Sequence, residues 1–371
     1  MRIVSFLPAA TEMVYALGLG DFLVGVSHEC DFPPETKKKL VVVRPTLALE
    51  SMSLKEIDVA VAECIGSGGS LYQIDEDLLK SLKPDLILTQ NLCQVCAPSG
   101  NELTVALKLL HPKPSVLWMS PHSLSEIFEN ILELGKVTSQ SAAAEVLVKT
   151  SNERLRAIAN RTKAITTRPR VFCMEWADPV YCSGHWMPEM VELAGGVDDL
   201  SRRGTDSVRI HWADVANLAP EVLVFAPCGF NLEKAVEQVP FLEGLPGWFD
   251  LPAVRNGRVY AADANSYFAR PGPRIVEGTE LLAHLIHPEF FEWNGPRDAF
   301  RALSSSNTEK FRARTKACPE CTENFECKMG GCWCDEFPPV VPSSAPGADC
   351  LCPACLAKVA AWQAARGQVI V

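Results

Sequence analysis

"RIVSFLPAATEMVYALGLGDFLVGVS", residues 2–27, decides the architecture. The apolar run Ile3–Phe6 reads as a strand, and Pro8 follows it at a position suited to the first turn of a helix. There its φ is already preset and its missing N–H costs nothing. Gly18 and Gly20 close that helix, and a second apolar run, Phe22–Val26, reads as the next strand. Strand, helix, strand is the repeating unit of an α/β sheet. Because the glycines end the helix and do not open it, a dinucleotide fingerprint is rejected. The sequence also contains no nucleophile elbow, P-loop or HExxH motif.

Working outward, further strands are expected at Leu86–Thr89, Val116–Met119, Val171–Met174, Val222–Ala226 and Val259–Ala262. The second half echoes the first. "RIVSF" (2–6) has a counterpart in "RVFCM" (170–174), and "LKPDLIL" (82–88) has one in "LAPEVLV" (218–224). "SVLWMS" (115–120) and "RVYAAD" (258–263) supply the following strand in each half. Two versions of one α/β lobe are therefore expected. Between them, Leu124, Ile127, Phe128, Ile131, Leu132 and Leu134 recur at helical spacing over residues 124–137. A second helical stretch covers 141–163 and stops before Pro169. At a rise of about 1.5 Å per residue, that stretch spans roughly 35 Å, the length of a rigid strut between lobes.

The chain has 371 residues, 47% of them hydrophobic, enough for a sizeable core and more than one domain. A net charge of -10 argues against a nucleic-acid partner. No run reaches the roughly 18 apolar residues of a membrane span. Pro8, Thr11 and Glu12 interrupt the first apolar stretch, so it does not read as a secretory signal. With fifteen cysteines, a reducing, cytoplasmic setting is expected. The expected units are an N-terminal lobe (1–120), a bridging helical region (121–169) and a C-terminal lobe (170–293). A linker (294–316) and a cysteine-rich module (317–371) follow.

With its "PAATE" helix start, "GVS" strand, "DFPP" turn and "LKPDLIL", the body resembles the helical-backbone metal-receptor superfamily, most closely its cobalamin-binding branch. The resemblance covers about three-quarters of the chain. It implies the class III substrate-binding-protein fold: two Rossmann-like lobes bridged by one long α-helix, with a metal chelate held between them. Cobalamin or a related corrinoid is the expected ligand, and a binding protein is expected in preference to an enzyme. The first turn of the helix, Pro8, Ala9, Ala10 and Thr11, would face the cleft. Opposite it, "EWADPVYCSGHW" (175–186) brings Trp176, Tyr181, His185 and Trp186, and "ADANSYFARPGPR" (262–274) brings Tyr267, Phe268 and Arg270. A flat tetrapyrrole suits aromatic walls with few polar anchors, although the indoles could equally pack the lobe. Exposed acids on each lobe, Asp75 or Glu76 and Asp214, lie near the places where such receptors dock on a permease.

"SHECDFPPE" (27–35) and "TQNLCQVCAPS" (89–99) raise a second possibility. The CxxC spacing lets two thiolates converge, so His28, Cys30, Cys93 and Cys96 could form a zinc or thiol site, with Glu29 as an outer partner. One of them could instead ligate a corrinoid cobalt. The alternative is that these cysteines are small hydrophobes, the reading favoured for Cys64, Cys173, Cys182 and Cys228. His111, His122, His284 and His287 read as surface or helix-end residues, and His211 stays a candidate alongside His185.

Eight of the fifteen cysteines fall between Cys318 and Cys355. "CPEC" and "CPAC" are paired two-residue knuckles, and Cys318, Cys321, Cys327, Cys332, Cys334, Cys350, Cys352 and Cys355 suffice for two four-coordinate Zn2+ ions. Disulfides or an iron–sulfur cluster are the competing uses. A module this small needs metal to fold, as a zinc ribbon does. It resembles the small "cysteine-rich CWC" family, also at Phe325, Trp333, Pro338 and Pro339, with Thr322 where that family has glycine. Two rivals to the binding-protein reading remain. One is a metal-dependent enzyme using His28, Cys30, Cys93 and Cys96. The other is a metallochaperone or scaffold that meets a protein partner through its tail.

Overall fold

A computed structural model describes residues 1–49, 51–91, 107, 108 and 110–303. Beyond these it describes 314–317, 321, 324–327, 354, 355, 357 and 358. In the first lobe the order is β1 (Ile3–Ser5), α1 (Pro8–Ala16), β2 (Leu23–Ser27), β3 (Leu40–Pro45), α2 (Leu54–Gly66), β4 (Tyr72–Ile74), α3 (Glu76–Leu82), β5 (Leu86–Thr89) and β6 (Ser115–Trp118). The bridge is α4 (Leu124–Val137) and α5 (Ser141–Lys163). The second lobe runs β7 (Val171–Ala177), β8 (Val180–Cys182), α6 (Met187–Leu193), α7 (Trp212–Leu218), β9 (Val222–Phe225), β10 (Val259–Ala262), α8 (Ile275–Ile286) and β11 (Phe300–Ala302), with shorter helical turns left unlabelled.

The first sheet has the order β4-β3-β2-β1-β5-β6, parallel except for β4. The second has the order β11-β10-β9-β7-β8, with β10, β9 and β7 parallel and both edge strands antiparallel. The internal repeat holds down to single hydrogen bonds. Arg2 and Arg170 each donate a guanidinium N–H to the last carbonyl of a helix, Leu82 of α3 and Leu218 of α7. Their backbone N–H groups go to Asp85 and Glu221, the acids of the twin "KPD" and "APE" turns. Lys83 and Ala219 cap those helices at φ 45° and 49°, the left-handed conformation that turns a helix end toward the next strand.

Ser123 caps α4 by accepting the Glu126 N–H, and the stripe Leu124, Ile127, Phe128, Ile131 and Leu134 is buried. Gly135 lets α5 approach, since a Cβ there would lie 2.4 Å from that of Ala144. One apolar cluster runs from Ile3 and Met13 through Ile127, Ile131 and Leu155 to Val171, Met190 and Leu282. The bridge therefore shares its core with both lobes and does not hang between them.

One expectation is corrected, and part of the first lobe was not anticipated. The segment expected to be a linker from 294 contains β11, because Phe300–Ala302 pairs with β10 and completes the second sheet. The first lobe also holds β3, β4 and α2, which lack a counterpart among the strands expected from the sequence. In the tail, Arg314–Ala317 and Asn324–Cys327 form an antiparallel pair.

Candidate functional site

Open α/β sheets bind ligands beyond the carboxyl ends of their strands, where the strand order reverses. In the second lobe that place lies between β7 and β9, which the chain leaves in opposite directions across the sheet. Several residues at the end of β7 or after it touch the first lobe. The Trp176 indole donates to the Leu54 carbonyl at the start of α2 (3.2 Å) and packs edge-on against Phe230. Leu54 itself is buried in the apolar cluster of the second lobe. The Tyr181 hydroxyl meets Asp58 of α2 at 3.3 Å, and Arg209 pairs with the same carboxylate at 2.9 Å. His185 of the second lobe and His122, in the connection between β6 and α4, face each other with ring centroids 5.7 Å apart.

A second, more buried junction joins α1 to the segment ahead of α8. Glu12 accepts from the Arg274 guanidinium (Nε–Oε2 2.9 Å), while Arg270 pairs with Asp31 at 2.5 Å and reaches the Glu29 carbonyl at 3.0 Å. Arg274 also lies over the Phe32 ring, 4.2 Å from its centroid. Burial pushes the Glu12 carboxyl above its ordinary range, and the Arg274 hydrogen bond pulls it back. Burial likewise raises Glu29, opposed by His28.

Glu175 lies on the strand that carries Trp176. The β7–β8 register shifts between Met174 and Trp176, so the carboxyl leaves the regular alternation at a bulge. The Ser207 hydroxyl donates to it, two residues before Arg209. Burial lifts it to about 7, against the pull of that hydrogen bond.

The sequence candidates divide into two groups. Trp176, Tyr181, His185 and Arg270 are half-buried at the seam, and His28 is exposed, with its ring 6.1 Å from Tyr72. Pro8, Ala9, Ala10 and Thr11 are buried, and a Cβ added to Gly272 of the second lobe would lie 3.4 Å from the Ala9 Cα, so this helix start does not open onto free space. Trp186, Tyr267 and Phe268 are core residues, and the Trp186 N–H is spent on the Phe268 carbonyl at 2.9 Å. Their aromatic rings follow strand ends but turn inward onto the helices.

Cys30 is buried at 5% exposure and shares a 3.1 Å hydrogen bond with Thr11. Burial pushes its thiol up to about 12, which disfavours the thiolate a metal needs. Cys93 and Cys96 lie outside the described residues, as do Cys318, Cys332, Cys334, Cys350 and Cys352. Of the other tail thiols, Cys321 is exposed in a turn, Cys327 ends a strand and Cys355 is buried. Among the described residues, no group of three or more His, Cys, Asp or Glu is placed to hold a metal ion. Concavities of about 440 Å³ beside Tyr15 and Lys39, and about 390 Å³ between α4 and α5, both lie away from the seam.

Residues missed by the sequence reading include Glu12, Asp58, Glu175, Arg209 and Arg274. The matched signs at distant positions were visible, but nothing in their spacing reveals which acid meets which arginine.

Residues 3–266 match the family model described as periplasmic binding protein. The chain belongs to that family. An uncharacterized ABC transporter substrate-binding lipoprotein of Bacillus subtilis is 29% identical over 298 residues, covering 78% of this chain and 81% of the relative. A vitamin B12-binding protein of Vibrio cholerae is 27% identical over 284 residues, covering 76% and 87%. Among solved structures, a periplasmic heme-binding protein from Roseiflexus sp. RS-1 superposes with a TM-score of 0.59 at 21% identity, covering 78% of this chain and 98% of that one. The fold is thus the α/β two-lobe class III arrangement.

These likenesses overturn the cytoplasmic placement. The matched family is periplasmic and the Bacillus relative is a lipoprotein. The cysteine count misleads for a physical reason. Cys30, Cys173 and Cys182 are buried thiols acting as small hydrophobes, and inaccessible thiols say little about the surrounding redox medium.

Proposed function

We propose that this family member is an extracytoplasmic receptor that holds a corrinoid such as cobalamin between its lobes and hands it to a membrane permease. The observation that carries this reading is the seam itself. Trp176, Tyr181, Arg209 and His185 of the second lobe meet Leu54 and Asp58 of the first and His122 of the bridging region. The likeness to B12-binding relatives over the whole two-lobe body supports the ligand class. The core shared through α4 and α5 supports a receptor that binds with little lobe movement.

Permease docking falls naturally on the helices of the internal repeat. Asp75 caps α3 by accepting the Leu78 N–H at 2.9 Å, and Asp214 sits in the first turn of α7, accepting the His211 N–H at 3.1 Å. These acids thus stand at equivalent helix starts on the two lobes. Charge reversal at both positions should abolish transport in cells while leaving ligand affinity in solution unchanged.

The ligand is tested by titrating the purified protein with cyanocobalamin and, separately, with haem, following the absorption bands. Saturable binding of the corrinoid at one per chain, with weaker haem binding, is expected. Saturation by haem with no response to any corrinoid would move the ligand assignment to haem.

For the tail, the paired CxxC knuckles support structural zinc. Metal analysis of the full chain should return two zinc ions per molecule, and a metal-free chain would reject this role.

A further inference from the structure

The junction at α1 and the junction at α2 differ in what parting them would cost. At the first, Glu12 is buried against Arg274 and Arg270, and Arg270 is held in turn by Asp31. Separating these groups would leave charges uncompensated in the interior. The apolar cluster shared through α4 and α5 ties the lobes again, so they stay together. The second junction is lighter. Among the described residues, Leu54 is the one buried residue of the 13-residue α2, and the cluster that buries it belongs to the second lobe. Toward the other end of the helix, Val61, Cys64 and Ile65 rest half-buried against the first lobe's own cluster. The helix is thus a strap from one lobe to the other. Its polar groups remain satisfied when its first turn lifts. Ser53 and Glu56 form a reciprocal capping box, with the Ser53 N–H donating to Glu56 at 2.8 Å, so the helix start needs nothing from the second lobe. The Trp176 N–H that reaches Leu54 also reaches the Asp178 carbonyl at 3.1 Å, and Arg209 keeps the Tyr181 hydroxyl at 3.4 Å. Lifting gives up only the burial of Leu54 and the hold of Asp58 on Tyr181 and on Arg209, whose side chain is 57% exposed. Behind the helix, "GSGGS" (66–70) supplies a glycine-rich turn in which Gly68 holds φ 74° with open space around it. Such positions absorb the backbone rotation of a hinge.

We infer that α2 is a gate: its first turn competes with the ligand for the second-lobe wall, and it swings out about residues 67–70 to admit the ligand while the lobes stay fixed. This rests on the receptor reading above, which gives Trp176, Tyr181 and Arg209 to the ligand. Leu54 and Asp58 hold those same three groups. The observed affinity is then the intrinsic affinity reduced by the fraction of chains whose gate is open. A consequence separates the two sides of the junction. Loosening the strap from the first-lobe side raises the open fraction and tightens binding. Removing the second-lobe aromatics takes away the wall itself and weakens it.

The test titrates wild type, Asp58→Ala and Leu54→Ala with cyanocobalamin and, separately, with haem, and follows association by absorption. Asp58→Ala removes a partly exposed ion pair, so it should bind about threefold more tightly and associate faster. Leu54→Ala removes the apolar anchor and should gain about tenfold or more. Hydrogen exchange without added ligand should show the amides of α2 exchanging faster in both variants than in wild type, with those of α1 unchanged. Asp58 lies at the surface of the junction, so its variant keeps the test open if Leu54→Ala folds poorly. Equal or weaker binding by Asp58→Ala, with wild type binding normally, would overturn the gate and leave the receptor reading intact. Binding of haem alone would change the ligand class, and the gate would then require the same ordering of the three chains with haem. A wild-type chain that binds neither compound would remove the receptor reading, and the gate with it.

Discussion

Glu12 and Glu175 are both carboxyls pushed upward by burial, yet their surroundings give them different work. Glu12 is buried with Arg274 and Arg270 around it, so its charge is matched and it fastens α1 to the second lobe. Removing one member of such a buried set costs more than the set contributes, because the other charges are left uncompensated. Among the described residues, the Glu175 carboxyl has the Ser207 hydroxyl as its side-chain hydrogen-bond partner, and burial favours its protonated form. Its folded value, about 7, stands above the 4.5 of an unperturbed glutamate. The folded chain therefore keeps a proton that the unfolded chain has already lost. The stability this provides is complete below about 4.5 and is lost as pH rises through about 7. Thermal unfolding of the ligand-free protein should show Glu175→Gln gaining on wild type between pH 5 and pH 8. Parallel curves for the two chains would place the titration elsewhere. Neither residue could be singled out from sequence. "PAATE" contains Glu12, but its partner Arg274 lies 262 positions away, and that pairing is a property of the fold.

At the level of elements, the repeat explains what the sequence made visible. The strands after "LKPD" and "LAPE", β5 and β9, were legible because parallel strands covered on both faces read as continuous apolar runs. The 141–163 helix was legible because nothing interrupts its pattern before Pro169. Three of the four edge strands were not, β6 being the exception: β4 carries Gln73, β8 has three residues, and β11 follows a stretch rich in polar residues. Such short edges are defined by their neighbours and not by their own periodicity. The twin helix ends also yield a stability prediction. Ala219 holds φ 49° at the end of α7, where a Cβ is disfavoured. Ala219→Gly should stabilise the chain by about 1 kcal/mol, measured by urea unfolding, since glycine adopts that conformation freely. A loss of stability would mean that the methyl group packs usefully.

For the whole molecule, the cluster that joins both sheets through α4 and α5 makes the lobes one mechanical body. The aromatic residues expected to wall the cleft instead divide between that body and the seam. Trp186, Tyr267 and Phe268 serve the core, while Trp176, Tyr181 and His185 lie at the seam. Sequence placed all six at strand ends but could not say which way each ring turned. Calorimetric titration of the intact protein with cyanocobalamin tests the receptor reading most directly. One site per chain is expected, with affinity lost when Trp176 and Tyr181 are both replaced by alanine. Absence of heat and of any spectral change, with the protein folded, would contradict the assignment of a corrinoid to this seam.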